Sequence, residues 1–197
     1  MKPLRLIFCL LALAQATAQA QQPVAPVTSS PSIVANAAPS TTDERQIQNQ
    51  LNQYLWDAAR NGNDAVLQEF VSAGYNLNAR DDKGFTAVIL AAYHGHYDTV
   101  SLLINHGADP CLQDSRGNTA LMGAVFKGEL KIAHLLLNAK CSPDTRNNAG
   151  QTAAMYASLF QRTEILKALQ EKGADMNATD AMGNSVQALG KGEVKGQ

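Results

Sequence analysis

Residues 81–110 read DDKGFTAVILAAYHGHYDTVSLLINHGADP, and this stretch decides the fold because its landmarks return at a fixed interval. Gly84 recurs as Gly117, Gly150 and Gly183, always 33 residues on. Asp81, Asp114, Asn147 and Asp180 stand three residues ahead of these glycines, and Thr86, Thr119, Thr152 and Ser185 stand two behind. Gly74, Gly107, Lys140 and Gly173 form another column, and Ala58, Ala91, Ala124 and Ala157 a fifth. Five columns on one period define an array of small units. No single unit can bury its apolar face alone, so the stack must supply one continuous core.

Each column has a physical reason. Gly84, Gly117 and Gly150 let the backbone turn with positive φ between a hairpin and a helix. The following threonine caps the first helix through its hydroxyl. The alanines let helices approach closely. In the second helix, Val100, Leu102 and Leu103, then Ile132, Leu135 and Leu136, then Leu166 and Leu169 make an amphipathic stripe. Gly74, Gly107 and Gly173 end their helices.

The unit resembles the ankyrin repeat, whose pattern runs roughly D-x-x-G-x-T-P-L-H-x-A-A-x-x-G-H, then a second helix ending in L-L, then G-A-D-x-N. After residues 81–110 come DSRGNTALMGAVFKGELKIAHLLLNAKCSP and NNAGQTAAMYASLFQRTEILKALQEKGADMN. A degenerate unit, LWDAARNGNDAVLQEFVSAGYNLNARD, opens the array, and a truncated one, DAMGNSVQAL, closes it. The resemblance covers about 51–189. It implies an all-α ankyrin-repeat solenoid over 44–190, with a divergent cap at 50–80, full units at 81–113, 114–146 and 147–179, and a partial unit at 180–190. Three departures stand out. Ala87, Ala120 and Ala153 replace the family proline. Ile89, Met122 and Met155 replace the family histidine, putting an apolar column where a hydrogen-bonding one stood. Lys140 sits where glycine takes the left-handed conformation, at an expected cost of about 1 kcal/mol.

The N-terminal segment reads as a leader. Lys2 and Arg5 precede the apolar run LIFCLLALA, and Ala18-Gln19-Ala20 offers small residues for cleavage, the anatomy of a secretory signal peptide over 1–20. Cys9 lies within it. The run is too short to span a bilayer. A mature chain from Gln21 would be exported, and the brevity of the signal suggests the bacterial periplasm. Residues 21–43, rich in Pro, Ala, Ser, Thr and Val, read as a disordered tether, with Pro23, Pro26, Pro31 and Pro39 interrupting any helix. Residues 191–197 read as a loose tail.

Composition narrows the function. Sixteen Lys plus Arg against 17 Asp plus Glu give a net charge of −1, and loss of Lys2 and Arg5 makes it −3. That balance supports neither nucleic-acid binding nor a polybasic membrane contact. The phosphate-cradling G-x-x-x-x-G-K-[ST] and the nucleophile elbow G-x-S-x-G are missing from the sequence. No catalytic residue, metal site or cofactor is expected. Of the four histidines, His96 fits the family's G-H column and reads as structural, His94 and His96 form an H-x-H pair without placeable co-ligands, and His106 and His134 fall on exposed faces of second helices. Cys111 and Cys141 lie in adjacent hairpin regions. A disulfide between them would close a loop of about 30 residues, worth roughly 3–4 kcal/mol and enough to offset Lys140. Two separate thiols, one of them buried, is the alternative.

What remains is a surface. In an ankyrin stack the hairpin tips and first helices line a concave face. The positions free of the fold's demands are Lys83, Phe85, Tyr93 and His94, then Arg116, Asn118, Phe126 and Lys127, then Gln151, Leu159 and Phe160, preceded by Arg60 and Asn61 near Trp56. Aromatic and basic residues in this concentration suit a protein-binding hot spot. Phe126 and Phe160 could instead pack between units, while Tyr93 and Phe85 are expected to be exposed. The expected function is non-enzymatic binding of a periplasmic client protein by a chain that is a monomer when free. The stretches TALMGAVFKGE and NAGQTAAMYA resemble small exported bacterial ankyrin proteins, some linked to catalase and peroxide defence, which would make a catalase or its haem supply the client. An immunity-type inhibitor of a toxin or hydrolase, and a haem or small-ligand carrier, are the alternatives.

Overall fold

The computed structural model describes residues 41–195. The expected signal peptide and residues 21–40 of the expected tether lie outside them. Four helix pairs follow one another: α1 (Thr41–Asn61) with α2 (Asp64–Ser72), α3 (Ala87–Tyr93) with α4 (Tyr97–Asn105), α5 (Ala120–Lys127) with α6 (Leu130–Leu137), and α7 (Ala153–Leu159) with α8 (Thr163–Glu171). A short α9 (Val186–Gly190) comes last. No strand forms among the described residues; isolated antiparallel bridges join Gln113 to Thr119 and Thr179 to Ser185 at the hairpins. The architecture is the all-α solenoid that the 33-residue period implies.

Two layers build the stack. The first helices (α1, α3, α5, α7, α9) pack side by side, and the second helices pack behind them. The first layer is the closer packed, because its seam is alanine: Ala58, Ala91, Ala124 and Ala157 are all buried, as are Ala87, Ala120 and Ala153. A stack whose one layer is tighter bends toward that layer. The threonine caps repeat in detail. Thr86, Thr119 and Thr152 accept from the backbone N–H of Ile89, Met122 and Met155 at 3.3, 3.3 and 3.4 Å, and Ser185 accepts from Ala188 at 3.1 Å. Each cap contributes about 1 kcal/mol. Ile89, Met122 and Met155 are themselves buried, so the apolar column does replace the family histidine.

The hairpins are zipped to one another. The N–H of Ser115 donates to the carbonyl of Lys83, that of Asn148 to Arg116, and that of Ala181 to Ala149, at 2.9, 2.9 and 3.0 Å. Glycine is required where these backbones meet: a Cβ on Gly84 would lie 2.6 Å from the Ser115 nitrogen, in addition to the positive φ of +77°. A second row runs alongside, in which the side chains of Arg80, Gln113 and Arg146 donate to the carbonyls of Gln113, Arg146 and Thr179 one unit on.

Several expectations are corrected. Helix α1 begins at Thr41, so residues 41–43 form its first turn rather than the end of a tether. Asp43 and Glu44 favour that helix start through the dipole, and Ile47, Leu51, Leu55 and Ala58 supply a stripe whose C-terminal half is buried. Within the second helices, Leu102, Leu135 and Leu166 are only half-buried; the full column is Thr99, Ile132 and Ile165, with Leu103, Leu136 and Leu169 beside it. Thr99 tolerates burial because its hydroxyl donates to the Asp64 carboxylate. Residues 191–195, expected as part of a loose tail, carry two bonds to the body: the N–H of Glu193 donates to Ala188 O and that of Lys195 to Asn184 Oδ1, at 2.9 and 2.7 Å.

Lys140 does not enter the left-handed region. Gln161, at φ +56°, is the sole non-glycine residue with positive φ among those described. At Gly107 and Gly173 the helix end closes by paired bonds, Gly107 N–H to Ile104 O with Ala108 N–H to Leu103 O, and Gly173 N–H to Gln170 O with Ala174 N–H to Leu169 O. Lys140 and Cys141 make no such pair among the described residues, and α6 is one residue shorter than α4 and α8. At this altered end Cys141 is joined to Cys111 by a disulfide with a Cα–Cα separation of 5.3 Å.

Candidate functional site

The capping threonines fix the phase of each first helix, so residues seven and eight positions later fall in register from unit to unit. One register column is Arg60, Tyr93, Phe126 and Leu159; the next is Asn61, His94, Lys127 and Phe160. At the C-terminal ends of α3, α5 and α7 these side chains form a continuous ribbon. The rings of Tyr93 and Phe126 stack with centroids 6.0 Å apart and planes 10° apart. Phe126 meets Phe160 edge-on at 4.9 Å, and Phe160 meets Tyr156 at 5.9 Å. The Lys127 ammonium lies 5.2 Å above the Tyr93 ring. Tyr93 and Phe126 keep 40 % and 37 % of their surface exposed, a large apolar area to leave in water.

His94 continues the ribbon, edge-on to Tyr93 at 5.5 Å and stacked on His96 at 6.4 Å. Burial, and then the charges of Arg60, His96 and Lys127, hold its pKa below the ordinary 6.5. His96 starts α4 and its Nε2 is 2.9 Å from the Arg60 carbonyl, a structural role. Among the described residues no group of three His, Cys, Asp or Glu side chains could hold a metal ion, and no helix is long and apolar enough to cross a membrane. His106 and His134 are exposed.

The hairpin side differs. Lys83 and Arg116 are exposed at successive tips. Phe85, expected to be exposed, is half-buried and packs on the core. Asn118 and Gln151 are largely spoken for. The Asn118 amide donates to Asp114 at 3.1 Å, and its Oδ1 accepts from Asn147 and from the Tyr156 hydroxyl at 3.0 and 3.3 Å. Gln151 Oε1 accepts from Asn147 at 3.1 Å. Their free edges, with Arg116, Asn148 and Tyr156, line an open groove of ≈ 420 Å³ between two hairpins. Burial pushes the Tyr156 phenol up, so it stays a neutral donor. Arg60 pairs with Asp57, Asn61 donates to the Asp57 carbonyl, and Trp56 donates to Ala79 O at 3.0 Å, which makes these three supports of the first unit.

Three participants escaped the sequence reading. Tyr156 bridges ribbon and groove, and its position nine residues past Asn147 carries no motif signal. Arg162 donates to the Phe126 carbonyl at 3.3 Å and so braces the middle of the ribbon. Gln161 replaces the glycine of the column Gly62, Gly95 and Gly128, a difference visible in the period. The structure thus brings together Tyr93, His94, Phe126, Lys127 and Phe160, leaves Lys83 and Arg116 at the tips, and takes Phe85 into the body.

Comparison with known proteins agrees with this architecture. The family model for ankyrin repeats in three copies matches residues 55–147, and that for a single ankyrin repeat matches 149–181. Over 48 residues the chain is 46 % identical to a putative ankyrin repeat protein of Pseudomonas aeruginosa, covering 24 % of this chain and 28 % of that one. Over 59 residues it is 44 % identical to ankyrin repeat domain-containing protein 29 of Danio rerio and 42 % identical to that of Homo sapiens, covering 29 % of this chain and 20 % and 19 % of theirs. The chain spans less than a third of the length of each of these relatives.

Proposed function

The chain belongs to the ankyrin-repeat family, and on that premise we propose that it is a non-enzymatic module of the bacterial periplasm that binds a client protein through the Tyr93–Phe126–Phe160 ribbon. Ankyrin repeats make protein-interaction modules. The observation that carries the choice of face is the stacked, half-exposed pair Tyr93 and Phe126 with a cation above it. Such rings are preorganised by the helices that bear them, so little ordering entropy is lost on association. The periplasmic location rests on the N-terminal sequence, with its short basic region, apolar run and small-residue cleavage site. The proposed client, a catalase or another participant in peroxide defence, rests on the resemblance of residues 119–129 and 148–157 to exported bacterial ankyrin proteins.

Affinity capture from a native periplasmic extract tests this reading. The unmodified chain should retain one stoichiometric partner, and the Tyr93→Ala/Phe126→Ala double variant should lose it while keeping its helical circular dichroism. A catalase among the captured proteins supports peroxide defence; a toxin or hydrolase identifies an immunity-type inhibitor instead. Equal capture by both forms refutes the assignment of the face.

A further inference from the structure

The ribbon and the groove are one continuous surface, because Tyr156 belongs to both. Its ring lies 5.9 Å from Phe160, and its hydroxyl bonds Asn118 and is reached by Asn147 at 3.3 Å. The two regions differ in chemistry. The ribbon offers apolar ring surface. The groove is lined by one cation, four side-chain amides, a phenol and Ala149, with no carboxylate among its lining residues. Asp114 lies behind it, 8 % exposed, and its oxygens are taken by the backbone N–H of Arg116 and Asn118 and by the Asn118 amide. The exposed Arg116 guanidinium makes no hydrogen bond or ion pair with any described residue. Arg116 takes part in neither of the ion pairs Arg60–Asp57 and Lys167–Glu171. A planar guanidinium without a partner beside this groove fits a carboxylate in a way that a lysine would not. At the other end Lys127 adds a second cation, and the charges that act on His94 are all positive.

We infer that this face takes an extended acidic segment of the partner, laying a large apolar side chain on the Tyr93–Phe126–Phe160 ribbon and a carboxylate in the Arg116 groove. The inference rests on the ribbon being the binding face and adds the chemistry of what it binds. The spacing follows from α7, which runs from just after Gln151 in the groove to just before Phe160 in the ribbon. Its seven residues rise about 10 Å, which an extended segment covers in three to four residues at roughly 3.3 Å each. Charge complementarity of this kind sets register and rejects basic competitors as much as it adds affinity.

Fluorescence anisotropy with the full chain tests it. The probe is a labelled Gly/Ser decapeptide carrying Phe and Glu four residues apart, with versions in which Glu is replaced by Gln or Lys, and Phe by Ala. The Glu peptide should bind at least tenfold tighter than the Lys peptide at low salt, and the gap should shrink at 0.5 M salt. Arg116→Gln should bring the Glu peptide down to the level of the Gln peptide and leave the Gln peptide unchanged. Phe126→Ala should weaken both. If Glu, Gln and Lys peptides bind alike but still depend on Phe126, the acidic segment is refuted while the binding face stands. Binding that depends on neither Arg116 nor Phe126 overturns both. No binding of any peptide overturns the inference of a linear segment and leaves the face to the capture experiment.

Discussion

Removing the disulfide should expose how much the second full unit depends on it. Cys111 and Cys141 close a loop of 30 residues. In the chain-entropy description that closure is worth about 3.6 kcal/mol at 25 °C. For a chain of this size each kcal/mol moves the melting midpoint by roughly 2–4 °C, so Cys111→Ser/Cys141→Ser should melt about 7–14 °C lower. The same site holds the array's one helix end where lysine replaces glycine, and the paired closure seen at Gly107 and Gly173 has no equivalent there among the described residues. Lys140→Gly therefore has something to restore. In the double-serine chain it should recover about 1 kcal/mol, by admitting the left-handed turn. In the disulfide-bonded chain it should recover clearly less, since the covalent tie already fixes the path. Urea unfolding followed by circular dichroism measures all four forms as a double-mutant cycle, and a reductant on the unmodified chain should reproduce the double-serine midpoint. A loss below about 1 kcal/mol without the sulphurs, or an equal gain from Lys140→Gly in both backgrounds, refutes the view that the bridge does the work of a helix cap.

Three further outcomes follow from local geometry. Gly128 has φ +78° and a Cβ there would lie 2.9 Å from Arg162, so Gly128→Ala should cost about 1–2 kcal/mol; Gln161→Gly should be near neutral, because relief of its φ of +56° is offset by losing the amide's bonds to Ser158 O and Gly190 O, and a shift above roughly 1.5 kcal/mol in urea contradicts that balance. The His94 imidazole should titrate below 6.5 by NMR and move upward in Lys127→Ala. Its native form resists the proton that the unfolded chain accepts, so its contribution is complete above the unfolded value and is lost as pH falls from there toward the native value; a midpoint at or above 6.5 refutes the positive setting of the ribbon's edge.

Much of this architecture was legible because it repeats. Thr86, Thr119 and Thr152 cap helices, and Gly84, Gly117 and Gly150 turn hairpins, for reasons each residue carries by itself; the period tells the rest of the chain where to stand. What sequence missed depends on contacts that are not periodic. Phe85 reads as a free tip residue until the core beneath it is seen. Asn118 and Gln151 look available, yet Asn147, where two neighbouring units carry Asp114 and Asp180, brings an amide that binds both. Lys140 suggests strain at a glycine position, but the chain takes another path and ties its end covalently. The start of α1 was hidden by its glutamines and asparagines, which dilute the apolar stripe that Ile47, Leu51 and Leu55 nevertheless draw.

The hairpin zipper gives the array a grammar. Each full unit offers a carbonyl at its tip and receives an N–H from the unit that follows, and Arg80, Gln113 and Arg146, at the ends of the cap and of the first two full units, each pass a side-chain donor forward to the next carbonyl. Both faces of an internal unit are thus complementary to the opposite faces of any other. A further 33-residue unit could be spliced between two existing ones with every such bond remade, and it would lengthen the ribbon by one more ring position. Recognition on this scaffold can grow by addition, with the reach of the surface changed by whole words rather than by rewriting letters.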